Sequence, residues 1–177
     1  MLPSQLIPLL VTGSDENNLA IPIMAPRFTD LAIVSSVNYF FSQNYSLAVN
    51  SVYCNETPEI DDTKNLVEVL VSTFEVPKFR RGNLKRVRAD VLVHIWYRAE
   101  ESLYGAQDLA DEVVNIFDHA VIDVYDYEAT RGETQVGVLQ LKEAVTEDLS
   151  ERQREDLSVN YQHLLVKVCG IAQEIEF

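Results

Sequence analysis

The stretch KRVRADVLVHIWYR, residues 85–98, alternates between two kinds of position. One set of alternate residues is apolar or aromatic: Val87, Ala89, Val91, Val93, Ile95 and Tyr97. The residues between them are mostly charged or polar, with Arg86 and Arg88 at the start. Successive side chains of a β-strand point to opposite faces, so a period of two predicts a strand with one face in the core.

A second strand precedes it. Residues 66–76, LVEVLVSTFEV, are rich in β-branched side chains, which suit a buried strand. Between the two strands lies PKFRRGN, residues 77–83, in which Gly82 and Asn83 are residues that turns tolerate. The sequence therefore predicts a long β-hairpin.

A helix is predicted over residues 27–43. Apolar residues recur there at three- and four-residue spacing, and Pro26 suits the first turn. The face predicted to enter the core consists of Phe28, Leu31, Val34, Val37 and Phe41.

A second helix is predicted within EESLYGAQDLADEVVNIFDHA, residues 100–120, with Ser102 as its N-cap. Its apolar face consists of Leu109, Val113, Ile116, Phe117 and Ala120. Its acidic residues, Asp108, Asp111, Glu112 and Asp118, are expected on the solvent side.

Further strands are predicted at 46–56, 121–128, 134–145 and 159–175, the last bent at Gly170, and a charged loop with one short helix at 146–158. This order predicts an α+β fold, a mostly antiparallel β-sheet with a long β-hairpin, flanked by two main α-helices. Residues 1–25 contain turn-forming residues and apolar pieces spaced by prolines, which predicts an extended N-terminal arm, and residues 26–177 are predicted to form a single domain.

Composition narrows the class of protein. The 177 residues are 47% hydrophobic, carry a formal net charge of −14 and have a pI near 4.5. Such a surface repels phosphate, which argues against a general nucleic-acid binder. Cys54 and Cys169 are far apart and are interpreted as free thiols. No run of 18 apolar residues predicts a membrane span.

Motifs of catalysis are missing from the sequence. There is no GxSxG nucleophile motif and no glycine-rich phosphate loop. His94, His119 and His163 fall on three different predicted elements, so they are interpreted as strand or surface residues rather than metal ligands. We therefore expect no enzyme, and no catalytic, metal or cofactor-binding residues.

One segment has an unusual charge. Six of the fourteen cations lie within eleven residues, and we call residues 78–88 the basic stretch. Its candidate interface residues are Lys78, Phe79, Arg80, Arg81, Lys85, Arg86 and Arg88. Three explanations are open: a solvated turn that blunts an edge strand, a nucleic-acid contact, or a contact with another subunit whose acidic surface, for example the second helix, receives the cations.

The order of these elements resembles the tail terminator and tail-completion proteins of long-tailed bacteriophages. In that family a strand such as VRADVLVHIWYR leads into a helix of Ala-x-x-Leu-Ala-x-x-Val type, which Ala106, Leu109, Ala110 and Val113 match. The last strand of the family has a Tyr-x-x-x-Val form, and the segment from Tyr161 to Val166 in VNYQHLLVKV is similar, with four residues between the two instead of three. The resemblance covers residues 26–177. The arm is longer than the family pattern, and residues 146–158 look like an insertion.

The resemblance implies a structural virion protein without a cofactor. Copies of the chain would form a ring, usually a hexamer, that caps the tail tube, ends its polymerisation and contacts the neck or connector protein. Genomic DNA would pass through an acidic lumen without specific binding, and the protein would lie in the tail–neck region of the virion after assembly in the host cytoplasm. Two alternatives remain: a head-side neck ring protein and a non-viral protein-binding adaptor.

Overall fold

The structure is a computed structural model and describes residues 26–46, 50–52, 65–76, 84–98, 104–128, 134–150 and 161–175. The predicted arm, the predicted turn at Gly82 and Asn83, and residues 151–160 lie outside the described residues. The described elements are, in chain order, α1 (Asp30–Asn44), β1 (Asn50–Val52), β2 (Leu66–Glu75), β3 (Arg86–Arg98), α2 (Gly105–Phe117), β4 (Val121–Asp126), β5 (Thr134–Leu141), β6 (Val145–Asp148) and β7 (Tyr161–Glu174).

The strands form one sheet in the order β1-β2-β3-β7-β5-β4, with β6 also paired to β7. β1 and β2 are parallel, and the other described pairs are antiparallel. β2 and β3 pair from Leu66 opposite Trp96 to Glu75 opposite Val87. The predicted α+β class and the predicted long hairpin are therefore confirmed.

The core lies on one face of this sheet. Val87, Ala89, Val91, Val93 and Ile95 of β3 are fully buried there, as the alternation predicts. Both helices cover this same face, because residues of both belong to the one core cluster. The Phe41 ring of α1 stacks on the Phe117 ring of α2 with centroids 5.7 Å apart.

The helix α1 begins after Thr29, whose hydroxyl accepts a hydrogen bond from the Ala32 N–H at 3.1 Å. The prediction of its buried face was partly wrong, because Leu31 is 54% exposed. The buried residues of the helix are Ala32, Ile33, Ser36, Val37 and Phe41. The Ser36 hydroxyl accepts the Tyr125 N–H at 2.9 Å, which holds this side of the helix against β4.

The helix α2 begins later than predicted. Tyr104 holds the N-cap position, not Ser102, and forms no side-chain capping bond. Gly105 packs so closely on Tyr97 that a Cβ atom there would lie 2.2 Å from the tyrosine ring, so contact with β3 fixes where the helix starts. The predicted Leu109, Val113 and Phe117 are buried, together with Ala106 and Ala110.

The segment 134–150 differs from its prediction, since β5 and β6 replace a single strand and part of the expected loop. The reason is the length of β7, a continuous strand through Gly170. β5 pairs with its last residues and β6 with residues 164–167. At Gly170 a Cβ atom would lie 2.5 Å from the Gln140 carbonyl oxygen, so the glycine allows close approach of β5.

The stacked phenylalanines give a test of the one-sided core. Phe41→Ala should lower the free energy of unfolding by about 3–5 kcal/mol, because it removes a fully buried ring and leaves a cavity. Phe74→Ala, at a ring that is 53% exposed on the opposite face, is the matched control and should change it by less than about 1 kcal/mol. Urea denaturation of both variants measures the difference, and equal losses would contradict the assignment of the core.

Candidate subunit interface

The described part of the basic stretch lies at one end of the β2–β3 hairpin. The Val76 N–H donates to the Arg86 carbonyl at 3.2 Å, so Lys85 and Arg86 stand where the paired strands end. Arg88 lies two residues further along β3. Lys78, Phe79, Arg80 and Arg81 lie outside the described residues, in the connection between the two strands.

The three described cations differ in how far they are already neutralised. Arg88 forms a bidentate ion pair with Asp90, in which Nε and Nη2 donate to the two carboxylate oxygens at 2.8 Å and 2.9 Å. This hydrogen-bonded carboxylate raises the pKa of Arg88. The Lys85 Nζ lies 3.6 Å from a Glu75 carboxylate oxygen. Arg86 is exposed and forms no ion pair with any described residue. Among these three, Arg86 has the charge most available to a partner.

The acidic side chains of α2 are mostly engaged within the chain. Glu112 accepts hydrogen bonds from the N–H and the hydroxyl of Ser46, both at 2.8 Å. Asp118 accepts the Ala144 N–H at 2.9 Å, and Asp111 accepts from the Gln107 side-chain amide at 2.9 Å. Glu112 and Asp118 thus join α2 to neighbouring segments, and Asp111 is hydrogen-bonded within the helix, so α2 is a weaker candidate for a cation-binding surface than its sequence predicts.

A different surface combines exposed aromatic side chains with acidic residues. Tyr39 of α1 and Tyr127 after β4 have ring centroids 6.4 Å apart, and Tyr125 lies 6.3 Å from Tyr127. Leu31 and Tyr39, both on α1, are 54% and 53% exposed. We define the α1–β4 patch as Asp30, Leu31, Tyr39, Tyr125, Tyr127 and Glu128.

A shallow groove enters this patch. Its volume is about 230 Å³, part of which is open solvent, and it is lined by Thr29, Leu31, Ala32, Ser35, Asp126, Tyr127 and Glu128. Both Asp126 carboxylate oxygens accept backbone N–H groups, from Arg27 at 2.7 Å and from Glu128 at 3.0 Å, which fixes one wall of the groove. Sequence reasoning missed the patch because it assigned Leu31 to the core.

Two histidines meet on the sheet face opposite the helices. As predicted, His94 and His163 are strand residues on different elements, and the pairing of β3 with β7 brings them together. His94 Nδ1 and His163 Nε2 are 2.9 Å apart, and the Trp96 ring stacks on His163 with centroids 3.6 Å apart. His119 lies elsewhere, after α2, with a φ of 53°. The described residues contain no group of three or more side chains able to hold a metal ion.

The surroundings of this pair disfavour its charged form. Burial, followed by the neighbouring His94, lowers the pKa of His163 to about 4, and the Asp148 charge only partly offsets this. Burial also lowers the pKa of His94, with a further lowering from Lys167 and an opposing effect of Glu68. Both rings are therefore neutral at neutral pH, so one ring nitrogen can donate to the other.

Comparison with known proteins gives the fold but no family. No family model matches the chain, and no curated protein matches it. One solved protein structure matches 85% of this chain and 99% of its own, with a TM-score of 0.50 and 9% sequence identity. Its name states no activity or partner, and at this identity the similarity shows the fold alone. The resemblance to phage tail terminators stays a prediction.

Neither described helix is long and apolar enough to cross a membrane.

The histidine pair predicts a pH dependence of stability. The unfolded chain binds a proton at His163 near pH 6.5, whereas the folded chain does so only near 4, so stability is full above pH 6.5 and falls as the pH drops toward 4. The loss should be on the order of 1–3 kcal/mol. Urea midpoints measured across this range should decline less steeply for His163→Gln than for the unsubstituted chain.

The matched control is His119→Gln, at an exposed histidine. It should leave the slope unchanged. A slope that falls equally in both variants, or in neither, would contradict the role assigned to His163.

Proposed function

We propose that this chain is a structural virion protein that forms a ring, with six copies as the expected number, at the end of a phage tail tube. The ring ends tube polymerisation and joins the tail to the neck. The observation that supports this most is the separation of charge. A chain with a net charge of −14 gathers six cations in the basic stretch, at one end of a long hairpin, and Arg86 there has no partner among the described residues.

This separation suits association between identical copies. A positive surface on one copy and a negative surface elsewhere on the next give a head-to-tail contact, and such contacts close into rings when the rotation between copies allows it. A twofold contact would pair the two surfaces reciprocally, with the basic stretch of each copy against the acidic surface of the other. The mass of the assembled species distinguishes a closed ring from such a dimer.

The acidic remainder suits a passage for DNA. Carboxylates that line a lumen repel phosphate, and nucleic acid can then move through without binding. The proposal assigns no catalytic step to the protein, and its partners are further copies of itself, the tail tube protein and the neck or connector protein. Its place is the tail–neck region of the virion.

Reversal of the basic stretch tests the ring. The variant Arg80→Glu, Arg81→Glu, Arg86→Glu should stay monomeric while keeping its melting temperature, because the contact between copies becomes repulsive. The unsubstituted chain should form a species of about 120 kDa, six copies of 20.1 kDa, alone or when mixed with purified tail tubes. Light scattering and electron microscopy measure both.

The matched control is Lys142→Glu, Arg152→Glu, Arg154→Glu, which reverses three cations outside the basic stretch. It should assemble like the unsubstituted chain. Normal assembly by the Arg80, Arg81 and Arg86 variant would show instead that the basic stretch is a solvated turn.

Duplex DNA gives a second test. The chain should bind it with a Kd weaker than ~10 μM at physiological salt, because its net negative charge opposes the phosphate backbone. Fluorescence anisotropy with a labelled duplex measures this. Sub-micromolar affinity would favour a nucleic-acid contact by the basic stretch.

A further inference from the structure

We propose that the α1–β4 patch is the surface on each copy that receives the basic stretch of the neighbouring copy. This inference rests on the proposed ring and adds to it the partner surface of the hairpin. The occupant is a second copy of this chain, bound through the arginines of its basic stretch.

The register of the sheet places the two surfaces at the same end of the molecule. Arg86 pairs with Gln173, Gln173 with Val138, and Val138 with Asp123, so one row crosses the sheet from β3 to β4. β4 runs from this row toward the end at which the hairpin connection lies, and Tyr127 and Glu128 follow it. The patch therefore lies toward the end of the sheet at which β2 ends and β3 begins, the end that carries Lys85 and Arg86.

The two surfaces also lie toward opposite edges of the sheet. β7 and β5 separate β3 from β4, which puts these two strands about 14 Å apart at ~4.8 Å per strand. Copies placed side by side in the same orientation thus bring the hairpin end of one next to the α1–β4 patch of the other. This is the geometry of a head-to-tail contact.

The chemistry of the patch fits a guanidinium group. The carboxylates of Asp30 and Glu128 are exposed and form no hydrogen bond or ion pair with any described residue. The exposed face of a tyrosine ring attracts a cation, and Tyr39 and Tyr127 offer two such rings. Tyrosine and arginine are enriched among the residues that dominate the energy of protein interfaces.

The alternative receptor is α2, and the structure makes it the weaker one. Three of its four carboxylates already accept hydrogen bonds within the chain, from Ser46, Gln107 and Ala144. The α1–β4 patch instead combines two exposed carboxylates with the exposed side chains of Leu31 and Tyr39 on α1.

Charge reversal on each candidate surface distinguishes the two. The double variant Asp30→Lys, Glu128→Lys should raise the protein concentration required for assembly at least 10-fold. Light scattering with and without tail tubes measures this concentration. The matched control, Asp108→Lys, Asp111→Lys on α2, should assemble like the unsubstituted chain. A milder pair, Asp30→Asn, Glu128→Gln, removes the charge with little change of shape and should give a smaller loss in the same direction. Melting temperatures of all variants check that the fold is kept.

A charge swap tests direct contact. A chain that combines Asp30→Arg and Glu128→Arg with Arg80→Glu, Arg81→Glu and Arg86→Glu restores opposite charges across each contact. It should assemble again, whereas either set alone should not. A combined chain that stays monomeric would contradict direct contact between these surfaces.

The outcomes separate the two proposals. If the unsubstituted chain assembles and the α2 variant fails while the patch variants do not, the receptor is α2 and this inference is wrong, although the ring stands. If patch and α2 variants all assemble normally, this inference is wrong and the ring again stands. If the unsubstituted chain never assembles, alone or on tail tubes, the ring itself is wrong and this inference fails with it.

Discussion

The strand β3 is paired on both sides, with β2 along Leu66–Glu75 and with β7 along most of its length, and the rest of the structure depends on that pairing. Its alternate residues from Val87 to Ile95 are fully buried, which decides the face on which the core forms. A slip of one residue would turn that set toward solvent, so the register is strongly determined. Through β7 and β5 the same register sets the position of β4, and with it the position of the α1–β4 patch relative to the hairpin.

Because the core lies on one face, the two faces of the sheet carry different side chains. Both helices pack on the core face, where Phe41 and Phe117 stack. The opposite face holds Arg88 with Asp90, and the neutral pair His94 and His163. The hairpin with its cations is separated from one edge of the sheet only by the short strand β1, and the other edge is β4, beside exposed tyrosines of a net acidic chain. A molecule whose two edges differ in this way is suited to head-to-tail assembly, and this asymmetry is the physical basis of the proposed ring.

The parts predicted well from the sequence were those set by local pattern. The alternation in 86–98 gave β3 and its buried face, and the apolar spacing of α2 gave Leu109, Val113 and Phe117. Long-range packing decided the rest. Leu31 fits a helical face in sequence, yet the Ser36 contact with β4 turns it outward. No local signal places His94 beside His163, because that contact comes from the pairing of strands far apart in the chain. The α1–β4 patch is likewise made of two segments that are distant in the chain. The sequence therefore predicted the basic stretch but not the surface proposed to contact it.

The most direct test of charge-directed contact is a high-resolution density map of the assembled protein on a tail tube. The account predicts that side chains of the basic stretch of each copy lie within hydrogen-bond distance of Asp30 or Glu128 of the next copy, with a guanidinium against Tyr39 or Tyr127. A map in which the basic stretch points into solvent, contacting neither a neighbouring copy nor an adjoining protein, would contradict it.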